Sequence, residues 1–350
     1  MLDAVRIGAW AKSGSPTPTA YGGLRFTAEA SNSSVQLTAV GSAPAVTLVK
    51  SFDGVNWEDY TVGEVIDLPS VGDYVYFAAG EGGNNAFGAS ANAYHKFVIN
   101  GLVASSGDIT SLRNFDLAQT TLAEFCYSNM FENCTGLTSA PELPATTLAV
   151  RCYSYMFRGC TGLTSAPELP ATTLASSCYY NMFSGCTGLT SAPELPATTL
   201  AVRCYSYMFN GCTGLTSSPE LPATTLAGFC YSYMFRGCTG LTSAPELPAT
   251  TLASSCYSYM FRGCTGLTSA PELPATTLAN GCYGNMFKEC KNISIIKVHF
   301  TSWDISSNTG KTNDWVNGVA SIGTFYKPTA LPEEYGTSKI PTGWTVVNID

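Results

Sequence analysis

Between residues 126 and 290 apolar side chains recur at intervals of three and four; in one stretch they are Cys152, Met156, Phe157, Cys160, Leu163, Ala166, Leu169 and Leu174. The set returns 26 residues later. The unit Cys-Tyr-x-x-Met-Phe-x-x-Cys-Thr-Gly-Leu-Thr-Ser-Ala-Pro-Glu-Leu-Pro-Ala-Thr-Thr-Leu-Ala-x-x begins at residues 126, 152, 178, 204, 230, 256 and 282. A fixed period of this length predicts a solenoid of stacked coils. Pro167 and Pro170 flank Glu168-Leu169, so neither one helix nor one long strand accommodates the unit. The spacing predicts a helical turn from Cys152 to Phe157, a tight turn at Gly159, a short extended run from Leu163 to Leu169, and a return through Ala-Thr-Thr-Leu. Stacking places each residue over its counterpart, roughly 4.7–4.9 Å away where extended runs pair as parallel strands. A column of buried leucines, at about 1.5–3 kcal/mol each, then offsets backbone ordering that a single repeat could not.

Upstream the pattern changes to short alternating runs, Leu24 to Thr27, Val35 to Val40, Val46 to Phe52, Val65 to Leu68, Tyr74 to Phe77 and Phe97 to Leu102, separated by turn signals such as Asp53-Gly54. These predict a small Ig-like β-sandwich over residues 23–104, in which Trp57 and Tyr60 serve as core or edge packing. Residues 1–22, with the Gly, Ser and Pro content of Ser13 to Gly22, read as a docking tail and linker. Residues 105–125 contain a half repeat, Asp116 to Ala123, suited to starting the stack. Residues 126–297 are the seven repeats, and 298–350, with Trp303, Trp315, Phe325, Tyr326 and Trp344, the C-terminal cap. The expected class is therefore mixed α/β: a sandwich followed by a capped solenoid with short parallel strands.

Composition narrows the partners. Lys+Arg number 17 against Asp+Glu 25, the net charge is −8, and the basic residues form no run, which argues against nucleic acid and anionic membrane. No apolar stretch is long enough to cross a bilayer. The N-terminal segment carries Asp3 and Arg6 and does not read as a secretory signal.

The fourteen cysteines fall in two columns, Cys126 to Cys282 and Cys134 to Cys290, each at the repeat period. Stacked copies approach bridging distance, but their Cβ vectors run parallel, which favours reduced core ladders over disulfides. The Cys-x7-Cys spacing without a repeat histidine predicts no metal site; His95 and His299 lie outside the repeats. Glu142, Glu168, Glu194, Glu220, Glu246 and Glu272 form an outward acidic stripe, solvated or cation-binding. Six equivalent carboxylates supply no distinct acid and nucleophile, and no nucleophile elbow or phosphate loop is present, so neither catalytic residues nor cofactors are expected.

Copies differ at the third, fourth, seventh and eighth positions and at the last two: Ser154 and Tyr155 against Tyr180 and Asn181, Arg158 against Ser184 and Asn210, Val150 and Arg151 against Gly228 and Phe229. Tyr155, Tyr207, Tyr233 and Tyr259, interspersed with Arg158, Arg236 and Arg262, give this strip the aromatic and guanidinium content of recognition surfaces. They are the candidate ligand-binding residues, set against neutral drift on a solvated face.

The recurring Gly-Cys-Thr-Gly-Leu-Thr-Ser, followed by proline, an apolar return and Cys-Tyr-x-x-Met-Phe, resembles the BspA-like leucine-rich repeats over roughly residues 110–297. The flanks, Ser51 to Tyr60, Thr324 to Pro328 and Gly343 to Val346, resemble those around such arrays in gut Bacteroides and their phages. The resemblance implies an exposed protein used in attachment or recognition. The expected role is thus non-enzymatic binding of a host-surface or glycan ligand, displayed on a phage virion as a fibre or surface decoration and held to other virion proteins through residues 1–22. A bacterial cell-surface adhesin and a structural spacer are the alternatives.

Overall fold

A computed structural model describes residues 21–116, 121–303 and 310–349. The docking tail assigned to residues 1–22 lies almost wholly outside the described residues, and the half repeat at 116–123 partly so.

The N-terminal region folds into β1 (Arg25–Ala28), β2 (Ser33–Val40), β3 (Leu48–Ser51), β4 (Glu58–Tyr60), β5 (Val65–Leu68), β6 (Tyr74–Ala79), β7 (Gly88–Ser90), β8 (Ala93–Asn100) and β9 (Val103–Ser106). One sheet has the order β9-β1-β6-β3-β4 and the other β5-β2-β8-β7. They meet through one buried core, in which the Phe97 ring lies 4.8 Å from Phe26 and 5.5 Å from Phe77. Trp57 and Tyr76 form a smaller buried cluster with Tyr21 and Phe115 packed against it. The strands that hydrophobic alternation does not announce are β4, β7 and β9, with the sequences Glu-Asp-Tyr, Gly-Ala-Ser and Val-Ala-Ser-Ser; ladder partners rather than side-chain propensity make them strands.

The expected mixed α/β class is wrong. Among the described residues there is no α-helix, only the 3-10 turn Ile109–Leu112. The segment from Cys152 to Phe157 is not a helical turn. In this coil the N–H groups of Cys152, Ser154, Met156, Arg158 and Cys160 donate to carbonyls three residues back. Those of Arg151, Tyr153, Tyr155, Phe157 and Gly159 donate instead to Ser176, Cys178, Tyr180, Met182 and Ser184 of the following coil. A helix would close its bonds internally; here every second amide is given to the neighbour, and a left-handed residue every fourth position, Arg151, Tyr155 and Gly159, resets the turn. The resulting period is four, with adjacent pairs facing inward: Cys152 and Tyr153, then Met156 and Phe157, then Cys160, all buried. The extended runs also pair less than expected. Most repeats show only isolated parallel bridges, such as Ser165 with Ser191 and Ser191 with Ser217.

The array is continuous with both flanks. β9 pairs in parallel with β10 (Leu137–Ser139) of the first repeat. Phe87 stacks on Tyr127 at 6.1 Å and Phe97 on Phe131 at 5.4 Å, so two side chains of the β-module begin the Tyr and Phe columns. Beyond Cys290 the backbone of the coil outlasts its side-chain motif. Tyr283, Asn285, Phe287 and Glu289 donate to Lys311, Asn313, Trp315 and Asn317, and the left-handed residues Asp314 and Gly318 keep the four-residue spacing. Trp315, fully buried, ends both columns, 6.3 Å from Tyr283 and 6.1 Å from Phe287. The extended ladder continues as β11 (Ile295–Lys297), β12 (Thr324–Lys327) and β13 (Thr345–Asn348), all parallel.

All fourteen cysteines are free and buried. Those of the second column also make a polar contact. Cys134, Cys160, Cys186, Cys212, Cys238, Cys264 and Cys290 each direct the thiol to a carbonyl one coil earlier, that of Phe97 for the first and of the Phe column for the rest, at 2.9–3.1 Å. An alanine in their place would leave that weak bond unmade. Burial pushes the thiols of Cys134, Cys178, Cys212, Cys230, Cys282 and Cys290 from 9.0 up to about 12. The unfolded chain ionises first, so the stability tied to neutral thiols is fully present below about pH 9 and is lost as pH rises towards about 12. Denaturant midpoints measured against pH should therefore show an alkaline limb. A flat profile across that window would contradict the burial of the thiols.

Candidate functional site

The four-residue turn decides which side chains reach solvent. Pairs one and two, and five and six, of each coil face the core, so positions four, seven, eight and the last are turned away from it. The longer side chains there, such as Tyr155 and Arg158, reach solvent, while Asn129, Asn181, Asn285, Ser177 and Ser184 are covered. Position four is left-handed in every repeat, with φ between 56° and 62° at Asn129, Tyr155, Asn181, Tyr207, Tyr233, Tyr259 and Asn285. Asparagine tolerates this region; tyrosine there is strained by about 1–2 kcal/mol, which folding alone does not require.

The structure brings the tyrosines together. Tyr207, Tyr233 and Tyr259 stack face to face with centroids 4.3 Å apart at each step and interplanar angles of 7° and 6°. Tyr155 joins through Tyr180, edge-on at 5.4 Å, which in turn lies 5.7 Å from Tyr207. Tyr180 thus fills the gap left by Asn181 in the third coil and belongs to the ridge, although its position in the unit differs. Burial pushes the Tyr155 phenol up to about 12, with Tyr180 the next cause. Burial likewise raises Tyr207 and Tyr233, the latter also through Tyr207 and Tyr259. These phenols therefore stay neutral at physiological pH and keep their O–H donors.

The arginines flank the ridge. Arg158, Arg236 and Arg262 lie 5.6, 5.7 and 6.0 Å from the centroids of Tyr155, Tyr233 and Tyr259. On the last position of the unit, Arg151 sits 5.6 Å from Phe125 and Arg203 4.8 Å from Phe229. The ends of the strip are neutralised: Arg158 pairs with Glu132 at 3.2 Å and Arg262 with Glu289 at 3.0 Å, a bond that holds the Glu289 carboxyl below its ordinary range. Lys288 reaches Asp314 at 2.9 Å. Among the described residues no carboxylate lies within 4.0 Å of Arg203 or Arg236. Sequence comparison of the copies flags the last position as variable; that the Arg151 and Arg203 column borders the same ridge follows only from the fold.

The acidic column stays outside this strip. Glu142 to Glu272 are exposed, and Glu272 accepts from Lys297 at 2.9 Å. Among the described residues no group of three or more His, Cys, Asp or Glu is arranged to hold a metal ion. The aromatics Trp303, Trp315, Phe325 and Trp344 are buried in the C-terminal coils, and none offers a face to solvent.

Residues 123–225 and 207–311 match the family model of the BspA type leucine rich repeat region, with six copies. The chain belongs to the BspA-type leucine-rich repeat family. Comparison with curated proteins and with solved structures gives no match. In this BspA-type chain the inward columns and the exposed glutamate column stay constant from copy to copy, and the outward turn carries the variation described above.

Proposed function

We propose that this BspA-type chain is a non-enzymatic recognition protein that holds a ligand on the outward turn of its repeats, through Tyr155, Arg158, Tyr207, Tyr233, Arg236, Tyr259 and Arg262. The observation that carries this reading is the tyrosine ridge itself: four strained left-handed tyrosines and Tyr180 converge into one continuous surface, while the inward columns scarcely vary. Aromatic and arginine side chains of this kind dominate binding energy where they cluster. Asparagine stands in the same column at Asn129, Asn181 and Asn285, so Tyr207→Asn with Tyr233→Asn preserves the backbone. That double variant should lower binding to host cells or isolated surface glycans by about tenfold or more. Undiminished binding by the folded variant would show that the ridge is not the reader.

The carrier we favour is a phage virion, with residues 1–22 as the attachment to other virion proteins; a bacterial cell surface is the alternative carrier. What supports the virion is the linker-like composition of Ser13 to Gly22, beside flanking segments that resemble those around arrays in gut Bacteroides and their phages. Deleting residues 1–22 should abolish incorporation into particles, and particles that retain the truncated protein would remove this carrier.

A further inference from the structure

Between residues 135 and 279 the repeats contain five arginines, Arg151, Arg158, Arg203, Arg236 and Arg262, no lysine, and six acidic residues, Glu142, Glu168, Glu194, Glu220, Glu246 and Glu272. All five arginines border the tyrosine ridge, and all six glutamates lie on the column half a repeat away from it. The net charge of −8 therefore conceals a strip that is cationic in its middle, with Glu132 and Glu289 pairing the arginines at its ends. From this segregation, and resting on the reading of the ridge as the binding face, we infer that the ligand is a linear polysaccharide bearing carboxylate or sulfate groups.

The ring geometry separates this ligand from a neutral sugar. Tyr207, Tyr233 and Tyr259 cover one another's faces at 4.3 Å, so the middle of the ridge offers phenol edges and hydroxyls rather than open π-faces. Ring edges are electropositive, and between the rows of guanidinium groups they complement anionic and hydroxylated groups. Arg203 and Arg236, which lack a carboxylate partner among the described residues, supply the forked donors suited to carboxylate or sulfate. Asn210, half-buried on the same turn, adds an amide and donates to the buried Ser184 hydroxyl at 3.2 Å.

The same geometry disfavours single-stranded nucleic acid, whose bases need free aromatic faces. A polymer whose acidic groups recur with its sugar rings matches a ladder with at most one arginine per 26-residue unit.

The experiment uses the full chain, immobilised, against polygalacturonate, chondroitin sulfate, dextran, poly-glutamate and oligo-dT. Binding to one or both acidic polysaccharides is expected, falling with added salt and about tenfold weaker in the double variant Arg203→Asn, Arg236→Gln. Preference between the first two polymers distinguishes carboxylate from sulfate. A Glu194→Gln, Glu220→Gln variant, altered on the acidic column, should bind as the parent does. Binding of dextran that Tyr207→Asn weakens and the arginine variant does not would overturn the inference yet leave the binding face in place. Tighter binding of poly-glutamate or oligo-dT, or no binding of either acidic polysaccharide, would also overturn it. Loss of the face itself is diagnosed separately, by unchanged cell binding in the tyrosine variant.

Discussion

Replacing Trp315 by alanine should cost about 3–5 kcal/mol and fray the array from its C-terminal end. The indole is fully buried and closes the Tyr and Phe columns simultaneously, and its Nε1–H donates to the Lys339 carbonyl at 2.9 Å. Truncation opens a cavity under the last coil and leaves that carbonyl without its donor. In a stack whose units touch only their neighbours, loss of an end interface propagates inward coil by coil. Hydrogen exchange should therefore rise first in the amides of Tyr283, Asn285, Phe287 and Glu289, which donate to the coil of Trp315. The β-module should retain its protection. Uniform loss of protection through the whole chain would show that the molecule unfolds as one unit and that Trp315 is no specific closure.

The second large effect belongs to a glycine without unusual dihedrals. A Cβ on Gly214 would stand 2.5 Å from the Thr187 carbonyl oxygen and 3.2 Å from that of Leu189. Both are backbone atoms of the preceding coil and cannot swing aside as a side chain would. Gly162, Gly188 and Gly240 meet the same obstruction at 2.5–2.6 Å. Gly214→Ala should therefore push two coils apart and destabilise by about 1–3 kcal/mol or more. By contrast, Gly211 has a positive φ of 76° but open surroundings, the nearest atom standing 3.9 Å from an added Cβ. Gly211→Ala carries only the left-handed penalty of about 1–2 kcal/mol. Equilibrium unfolding of the two variants side by side should rank Gly214→Ala as the more damaging. The reverse order would mean that backbone dihedral, not coil spacing, limits the stack.

The period, the inward columns and the outward stripes were legible because each is repeated, and a column that never varies in seven coils declares its burial. The local conformation was not. Cys152, Met156, Phe157 and Cys160 satisfy both a helical spacing and a period of four in adjacent pairs. Only the burial of Tyr153, which its polar hydroxyl tip does not announce, distinguishes the two. The coil after Cys290 was hidden for a related reason. Its backbone requires left-handed residues four apart, which Asp314 and Gly318 supply, while its side chains no longer spell the motif. At the candidate strip the tyrosines and three arginines were visible because they stand at positions that vary between copies. Arg151, Arg203 and Tyr180 needed the fold, since their positions in the unit give no sign of adjacency.

The amides that each coil lends to the next point along the axis of the stack, so tension between the two ends of the array loads them in line. Coils should peel from an end in succession, each breaking the same few bonds and releasing the same 26 residues of chain. The molecule would then lengthen at nearly constant force, a yielding tether that keeps hold while whatever it joins is pulled apart.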